Sequence, residues 1–379
     1  MKPDYNRSIV NIPASLLTHY GLDTIHASLH ELKEELKKDY DHVALVVLDG
    51  FGMNMINRLD DTAFLKQHTV SVLTSTFPST TVAATTALLT GETPYESGHI
   101  GWFQYVKPFG IHYTVFLEQD FYFPTKTIPD NLKARFNRTS VFTKIGNQRD
   151  DIYTKEFFPF PVNEKGFKTL SAGLKELREF QESKPKTLSY VYSIDPDITE
   201  HIEGTMSNKT LTVITELNDA LESYMREAPD KTLVIVTADH GLTDVKPMKL
   251  FDDLEFVSTF RAYPAIEPRA TAFFIKEEEK ANFEAMFEEK YGDYFELFTK
   301  EAFMLSGFLG FGTKHQLVDE SMGDYISVAK SHYYFELSDQ KKHLAHHGGL
   351  SLEEMEVPLI LLKRMTPYDI RTKQFYGLV

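Results

Sequence analysis

Four short stretches of this sequence carry side chains that can hold a metal ion, and each lies next to an apolar run. Asp49 ends the run "ALVVLDG", and Asp197 and His201 stand four apart in "DPDITEH" after "LSYVYSI". Asp239 and His240 are adjacent in "TADHG" after "TLVIVTA", and "HLAHHGG", with His346 and His347, precedes "VPLILLK". Singly, each has an ordinary explanation. Asp49 with Gly50 could make a turn, Asp197 and His201 could share the face of a surface helix, "DHG" could cap a helix, and the paired histidines could be a polar loop. Chance has to explain all four separately, whereas a single site explains them at once.

The chemistry follows from the residue types. Asp49, Asp197 and Asp239 with neutral His201, His240 and one histidine of the His346/His347 pair make a pocket of formal charge about −3, which is costly in a cleft without divalent cations. Two dications would bring about +4 and leave the pocket suited to a phosphate. Mixed imidazole and carboxylate donors favour zinc, with manganese or iron as alternatives, over magnesium. The chain has no cysteine, so thiolate ligands, disulfides and a cysteine nucleophile are excluded. A nucleophile would then be a hydroxyl, and "TSTFPSTTVAATTALLT" from Thr74 to Thr90 is crowded with them.

The elements that must position these residues are legible as a pattern. Apolar runs at 43–48, 69–75, 188–194, 232–238 and 357–363 read as strands buried on both faces. Amphipathic stretches at 166–181 and 206–225 read as helices between them. The fold class is therefore α/β, a doubly wound, mostly parallel sheet with helices on both faces, and its ligand crevice lies at the carboxyl ends of the strands. From about residue 250 to 344 the segments become shorter and alternate. The expectation is a catalytic core from 1–249 and 345–379 with an inserted α+β cap subdomain at 250–344, beside the mouth of the site.

The 379 residues are 42% hydrophobic and 25% charged, ordinary for a globular chain. A net charge of −15 disfavours a nucleic-acid polymer as partner, because an acidic surface repels a phosphate backbone. No apolar stretch approaches the roughly 20 residues of a membrane span, and the N-terminal sequence lacks a signal-peptide core. A cytoplasmic protein without a membrane partner is expected.

The ordered set "LDG", "TSTFPSTTVAATTALLTGETPYESGH", "DPDITEH", "TADHG" and "HHGGLSLEEMEVPLI" resembles the alkaline phosphatase superfamily, and within it the nucleotide pyrophosphatase/phosphodiesterase branch. The resemblance runs from Asp49 to about Ile360. It implies one metal held by Asp49, Asp239 and His240 and a second by Asp197, His201 and His347, with His346 as the alternative to His347. It implies a threonine nucleophile before Phe-Pro, which falls on Thr76, also a metal contact, and hydrolysis of phosphodiesters or nucleotide pyrophosphates through a phosphothreonine. A phosphomonoesterase, phosphonate hydrolase or phosphomutase of the superfamily is the alternative, as is a metal-dependent binding protein without turnover. One position departs from the pattern. The branch's phosphate-holding asparagine is replaced by Trp102 in "SGHIGWFQY", leaving Trp102, His99 and Gln104 as candidate contacts to a small-molecule phosphate ester.

Overall fold

The computed structural model describes residues 1–338 and 342–365, so the end of the expected core unit, 366–379, lies outside the described residues. A six-stranded sheet forms the centre, in the order Thr69–Thr74, Glu356–Arg364, Thr232–Thr237, His42–Leu48, Thr187–Ser193, Tyr153–Phe157. His42–Leu48 pairs in parallel with both of its neighbours, and Tyr153–Phe157 is parallel to Thr187–Ser193. Glu356–Arg364 alone runs antiparallel to the strands beside it. The strands His42–Leu48, Thr187–Ser193 and Thr232–Thr237 are buried along their whole length, as a sheet covered on both faces requires.

Two groups of helices do the covering. Leu170–Glu182 and Asn208–Glu227 pack on one another. Each is opened by a side-chain cap, Thr169 accepting from the Ala172 N–H and Ser207 from the Thr210 N–H. Their buried residues recur at helical spacing, Leu170, Leu174 and Leu177 in one and Ile214, Leu217 and Leu221 in the other. Asn11–His19, Thr81–Thr90 and Val141–Gln148 form the other group. The fold is the expected α/β class.

A second sheet of seven strands stands apart from the first, in the order Phe295–Thr299, Tyr325–Ala329, Ala270–Ile275, Phe260–Ile266, Phe103–Val106, Ile111–Thr114, Gln119–Asp120. Every pair in it is antiparallel. It has its own phenylalanine-rich core, including Phe256, Phe273, Phe283 and Phe287. Three of its strands come from residues 103–120, which the expected 250–344 segment does not contain. The two parts of the chain meet where Phe103 pairs with Ile266, a long-range pairing invisible to a reading of consecutive residues.

Candidate active site

Strands His42–Leu48 and Thr232–Thr237 pair from His42 opposite Thr232 to Val47 opposite Thr237, so Asp49 and Asp239 leave the same edge of the sheet. Each aspartate has one oxygen occupied. Asp49 Oδ2 accepts from the Tyr192 hydroxyl, and Asp239 Oδ1 accepts the N–H groups of Gly50 at 3.2 Å and His240 at 2.9 Å. The other oxygens, Asp49 Oδ1 and Asp239 Oδ2, are buried with no hydrogen-bond partner among the described residues. They lie 3.5 and 3.4 Å from His240 Nε2.

The second cluster comes from a helix and a loop. Asp197 begins the helix Asp197–Glu203 and His201 follows one turn later, which brings both to one face. His347 arrives after the short pairing of Ala345 and His346 with Asp244 and Thr243. Asp197 Oδ1, again buried and unpartnered, is 3.3 Å from His201 Nε2 and 3.9 Å from His347 Nε2. His201 Nδ1 is 2.8 Å from the Ala345 carbonyl and His240 Nδ1 is 3.2 Å from that of Gly241. With the proton at Nδ1 in each, Nε2 presents a free lone pair. The rings of His240 and His347 are 4.1 Å apart, so the clusters adjoin.

These residues fit two cations. Within each trio the donor atoms lie within 4.8 Å of one another, and three buried carboxylate oxygens face inward without a proton donor. Burial, then the neighbouring Asp239 and Asp197, pushes the Asp49 carboxyl well above its ordinary pKa. Burial also raises Asp239. For Asp197 the burial is outweighed by His201, and its carboxyl sits below the usual value. A buried carboxylate group left in that state is destabilising until a cation arrives.

The hydroxyl that reaches these clusters is not the expected one. Thr76 is fully buried, its Oγ1 is 3.5 Å from the Pro78 carbonyl, and it does not line the cavity at the clusters. Thr81 does line it. It is the first residue of helix Thr81–Thr90, and its Oγ1 is 3.2 Å from His240 Nε2. The neighbouring hydroxyls are engaged elsewhere. Ser75 donates to the Asp239 carbonyl, Ser79 to the Gly349 carbonyl and Thr80 to Glu267. Thr80 makes no side-chain cap.

The cavity measures about 260 Å³, and its border includes Thr81, Asp197, His201 and His347 together with Trp102, Phe103, Phe121 and Glu267. Of the candidate substrate contacts, Trp102 is there, its ring edge-on to Phe116. His99 and Gln104 are not. His99 is buried edge-on against Phe136 with Nδ1 at the Ser97 carbonyl, and burial pushes its pKa down to about 3. Gln104 accepts the Ile100 N–H and donates to the Gly98 carbonyl and the Ser321 hydroxyl, which commits both of its N–H groups inside the protein. His346 borders the cavity but belongs to neither trio, and its Nδ1 is turned to the backbone of His347.

Glu267 was missed by sequence reasoning. Its Oε1 accepts from the Thr80 hydroxyl and the Trp102 N–H, both at 2.6 Å. Burial raises it to about 7, against the pull of the Thr80 hydroxyl. It comes from the second sheet, and nothing in "AIEPRA" marks it. Thr81 had a signal: a threonine opening a helix that an adjacent threonine could already cap.

Fold and site together define an α/β protein with two adjoining trios of metal-ligand type beside the hydroxyl of a helix start. The chain belongs to the Type I phosphodiesterase / nucleotide pyrophosphatase family, whose model matches residues 43–350, in the alkaline phosphatase superfamily. Its structure is similar to murine ectonucleotide pyrophosphatase/phosphodiesterase 5, solved as an inactive threonine-to-alanine variant in complex with AMP, with a TM-score of 0.65 at 17% identity over 85% of this chain and 87% of that one. The human counterpart gives 0.64 at 17% identity over the same shares. At that identity the likeness is one of fold. No curated protein matches the sequence significantly.

Proposed function

We propose that this chain is a two-metal phosphodiesterase acting on small phosphodiesters or nucleotides through a phosphothreonine on Thr81. The observation that carries it is the placement of Thr81, whose hydroxyl is 3.2 Å from His240 Nε2 of one trio and which lines the cavity together with Asp197, His201 and His347 of the other. Asp49, Asp239 and His240 would hold one ion and Asp197, His201 and His347 the other, with zinc best suited to the donors. Bound there, divalent ions supply positive charge to the phosphoryl oxygens and lower the pKa of a nearby alcohol or water.

Thr81 Oγ attacks phosphorus as the bond to the leaving oxygen breaks. The threonine proton passes to solvent and the leaving alcohol takes one from water. A water molecule then attacks phosphorus, the bond to Oγ breaks, and Thr81 regains its proton. The N–H groups of the first turn of helix Thr81–Thr90, uncapped by Thr80, face the N-terminal end where the phosphoryl group would sit. They stand in for the amide that Trp102 cannot provide. The second sheet, with the loops that follow it, would serve as the cap, its Phe103, Phe121 and Glu267 bordering the cavity in which the ester arm would lie. Among the described cavity residues there is no lysine or arginine, which favours a diester over a substrate with several further phosphates. AMP in the murine neighbour supports a nucleotide-sized arm.

The test combines metal analysis with hydrolysis of bis-p-nitrophenyl phosphate against p-nitrophenyl phosphate, followed by trapping the enzyme at low pH and mapping the labelled peptide. About two metal ions per chain, preference for the diester and phosphate on Thr81 are expected. Preference for the monoester favours a phosphatase, and metal without turnover favours a binding protein. Phosphate on another residue overturns the assignment of Thr81.

A further inference from the structure

Arg269 and Glu354 form an ion pair that the proposed chemistry does not use. Both side chains are buried, 1% and 0% exposed. Arg269 lies in the turn between strands Phe260–Ile266 and Ala270–Ile275 of the second sheet. Its Nε and Nη2 reach the two Glu354 oxygens at 2.7 and 2.8 Å, and its Nη1 donates to the carbonyls of Ser331 and Tyr333. Glu354 belongs to the core, in the short helix Leu352–Met355 that leads into strand Glu356–Arg364.

Glu354 also holds both ligand-bearing loops. Its Oε1 accepts the Gly349 N–H at 2.8 Å, two residues beyond His347. Its backbone carbonyl accepts the Gly241 N–H at 3.0 Å, one residue beyond His240. The approach is as close as glycine permits. A Cβ on Gly241 would lie 2.1 Å from the Glu353 carbonyl, and one on Gly349 would lie 2.7 Å from Glu354 Oε2.

A buried ion pair is a weak source of stability, because desolvation cancels much of its attraction, but a forked pair with every partner satisfied fixes geometry. We infer that Arg269 and Glu354 are positioning residues that set the spacing of the two trios and tie it to the second sheet. Arg269 orients the carboxylate, the carboxylate holds the loop of His347, and the same residue's carbonyl holds the loop of His240. The inference rests on the two-metal reading, so its test separates the two.

Cobalt(II) is titrated into the full-length, metal-free protein and its Glu354→Gln and Arg269→Lys variants, following visible absorption, with thermal unfolding of each metal-free form alongside. Wild type is expected to bind about two ions. Glu354→Gln should bind them roughly 10- to 100-fold more weakly, as loss of outer ligand support does elsewhere, with an altered spectrum. Arg269→Lys, which keeps the charge and loses the fork, should fall between and lower kcat more than it raises KM. Should Glu354→Gln not fold, the spectrum and affinity of Arg269→Lys decide the matter. Wild-type cobalt affinity and spectrum in the variants, whatever their unfolding temperatures, overturn the inference alone. A wild-type protein that takes up no cobalt overturns the two-metal reading and the inference with it.

Discussion

Thr76 and Thr81 lie five residues apart in one hydroxyl-rich run and have opposite surroundings. Thr76 sits just past the strand Thr69–Thr74, with its hydroxyl turned to the Pro78 carbonyl of its own loop. Thr81 sits one loop later, at the start of a helix, with its hydroxyl beside His240. A short motif locates a nucleophile to within a turn of chain, and the three-dimensional path of that turn decides which hydroxyl arrives. Ser75, just before Thr76, and Ser79, between the two threonines, tie the loop to the carbonyls of Asp239 and Gly349, so it is pinned to both ligand-bearing segments and Thr81 arrives beside His240.

The sharpest way to break this comparison is to remove each hydroxyl in turn. Thr81→Ala should lower kcat by a factor of about 1,000 or more with the fold and metal content intact, as loss of a nucleophile does elsewhere. Thr76→Ala should leave kcat within a few-fold, since its hydroxyl reaches only a backbone carbonyl. Steady-state kinetics with bis-p-nitrophenyl phosphate distinguishes them. A collapse of kcat in Thr76→Ala with Thr81→Ala unaffected would reverse the roles.

Metal removal sharpens the same point. A chelator, or His201→Ala, should lower metal content and reduce turnover strongly, but neither should add its full effect to that of Thr81→Ala, because groups that act as a unit are not additive. Comparing the chelated single variant with the chelated wild type reads this directly. Multiplicative losses would mean that Thr81 and the metals act in separate steps.

The part of the site held by sheet register was the part legible in sequence. Asp49 and Asp239 follow apolar strands that proved to be paired neighbours, and Asp197 with His201 needs only helical spacing, so composition and period were enough to bring these residues to one edge, while their grouping into trios with His347 came from the family resemblance. What depends on chain meeting distant chain was not legible. Residues 103–120 join the second sheet through the single pairing of Phe103 with Ile266. His99 and Gln104, polar and well placed in the motif, spend their hydrogen bonds within the protein, His99 at the Ser97 carbonyl and Gln104 on the backbone of Gly98 and Ile100 and on the distant Ser321 hydroxyl. Glu267 enters the cavity from 165 residues beyond the Trp102 N–H it accepts, and no pattern along the chain announces such a partner.

The smallest expected effect concerns the residue between the two compared hydroxyls. Thr80 precedes the helix, where a threonine would ordinarily cap it, yet its side chain makes no cap and donates to Glu267 at 2.6 Å instead. Thr80→Val keeps the volume and removes the donor, leaving the buried Glu267 Oε1 with the Trp102 N–H alone. Losing a hydrogen bond to a buried carboxyl costs about 1–3 kcal/mol. The loss should appear in denaturant unfolding as a lower midpoint with an unchanged slope. Because Glu267 borders the cavity but touches neither trio's donor atoms, KM should rise by a few-fold while kcat and metal content hold. A Thr80→Val protein of wild-type stability would mean that Glu267 does not depend on this hydroxyl. A fall in kcat comparable to that of Thr81→Ala would place Thr80 in the reaction itself and erase the distinction between neighbours on which the comparison of Thr76 with Thr81 rests.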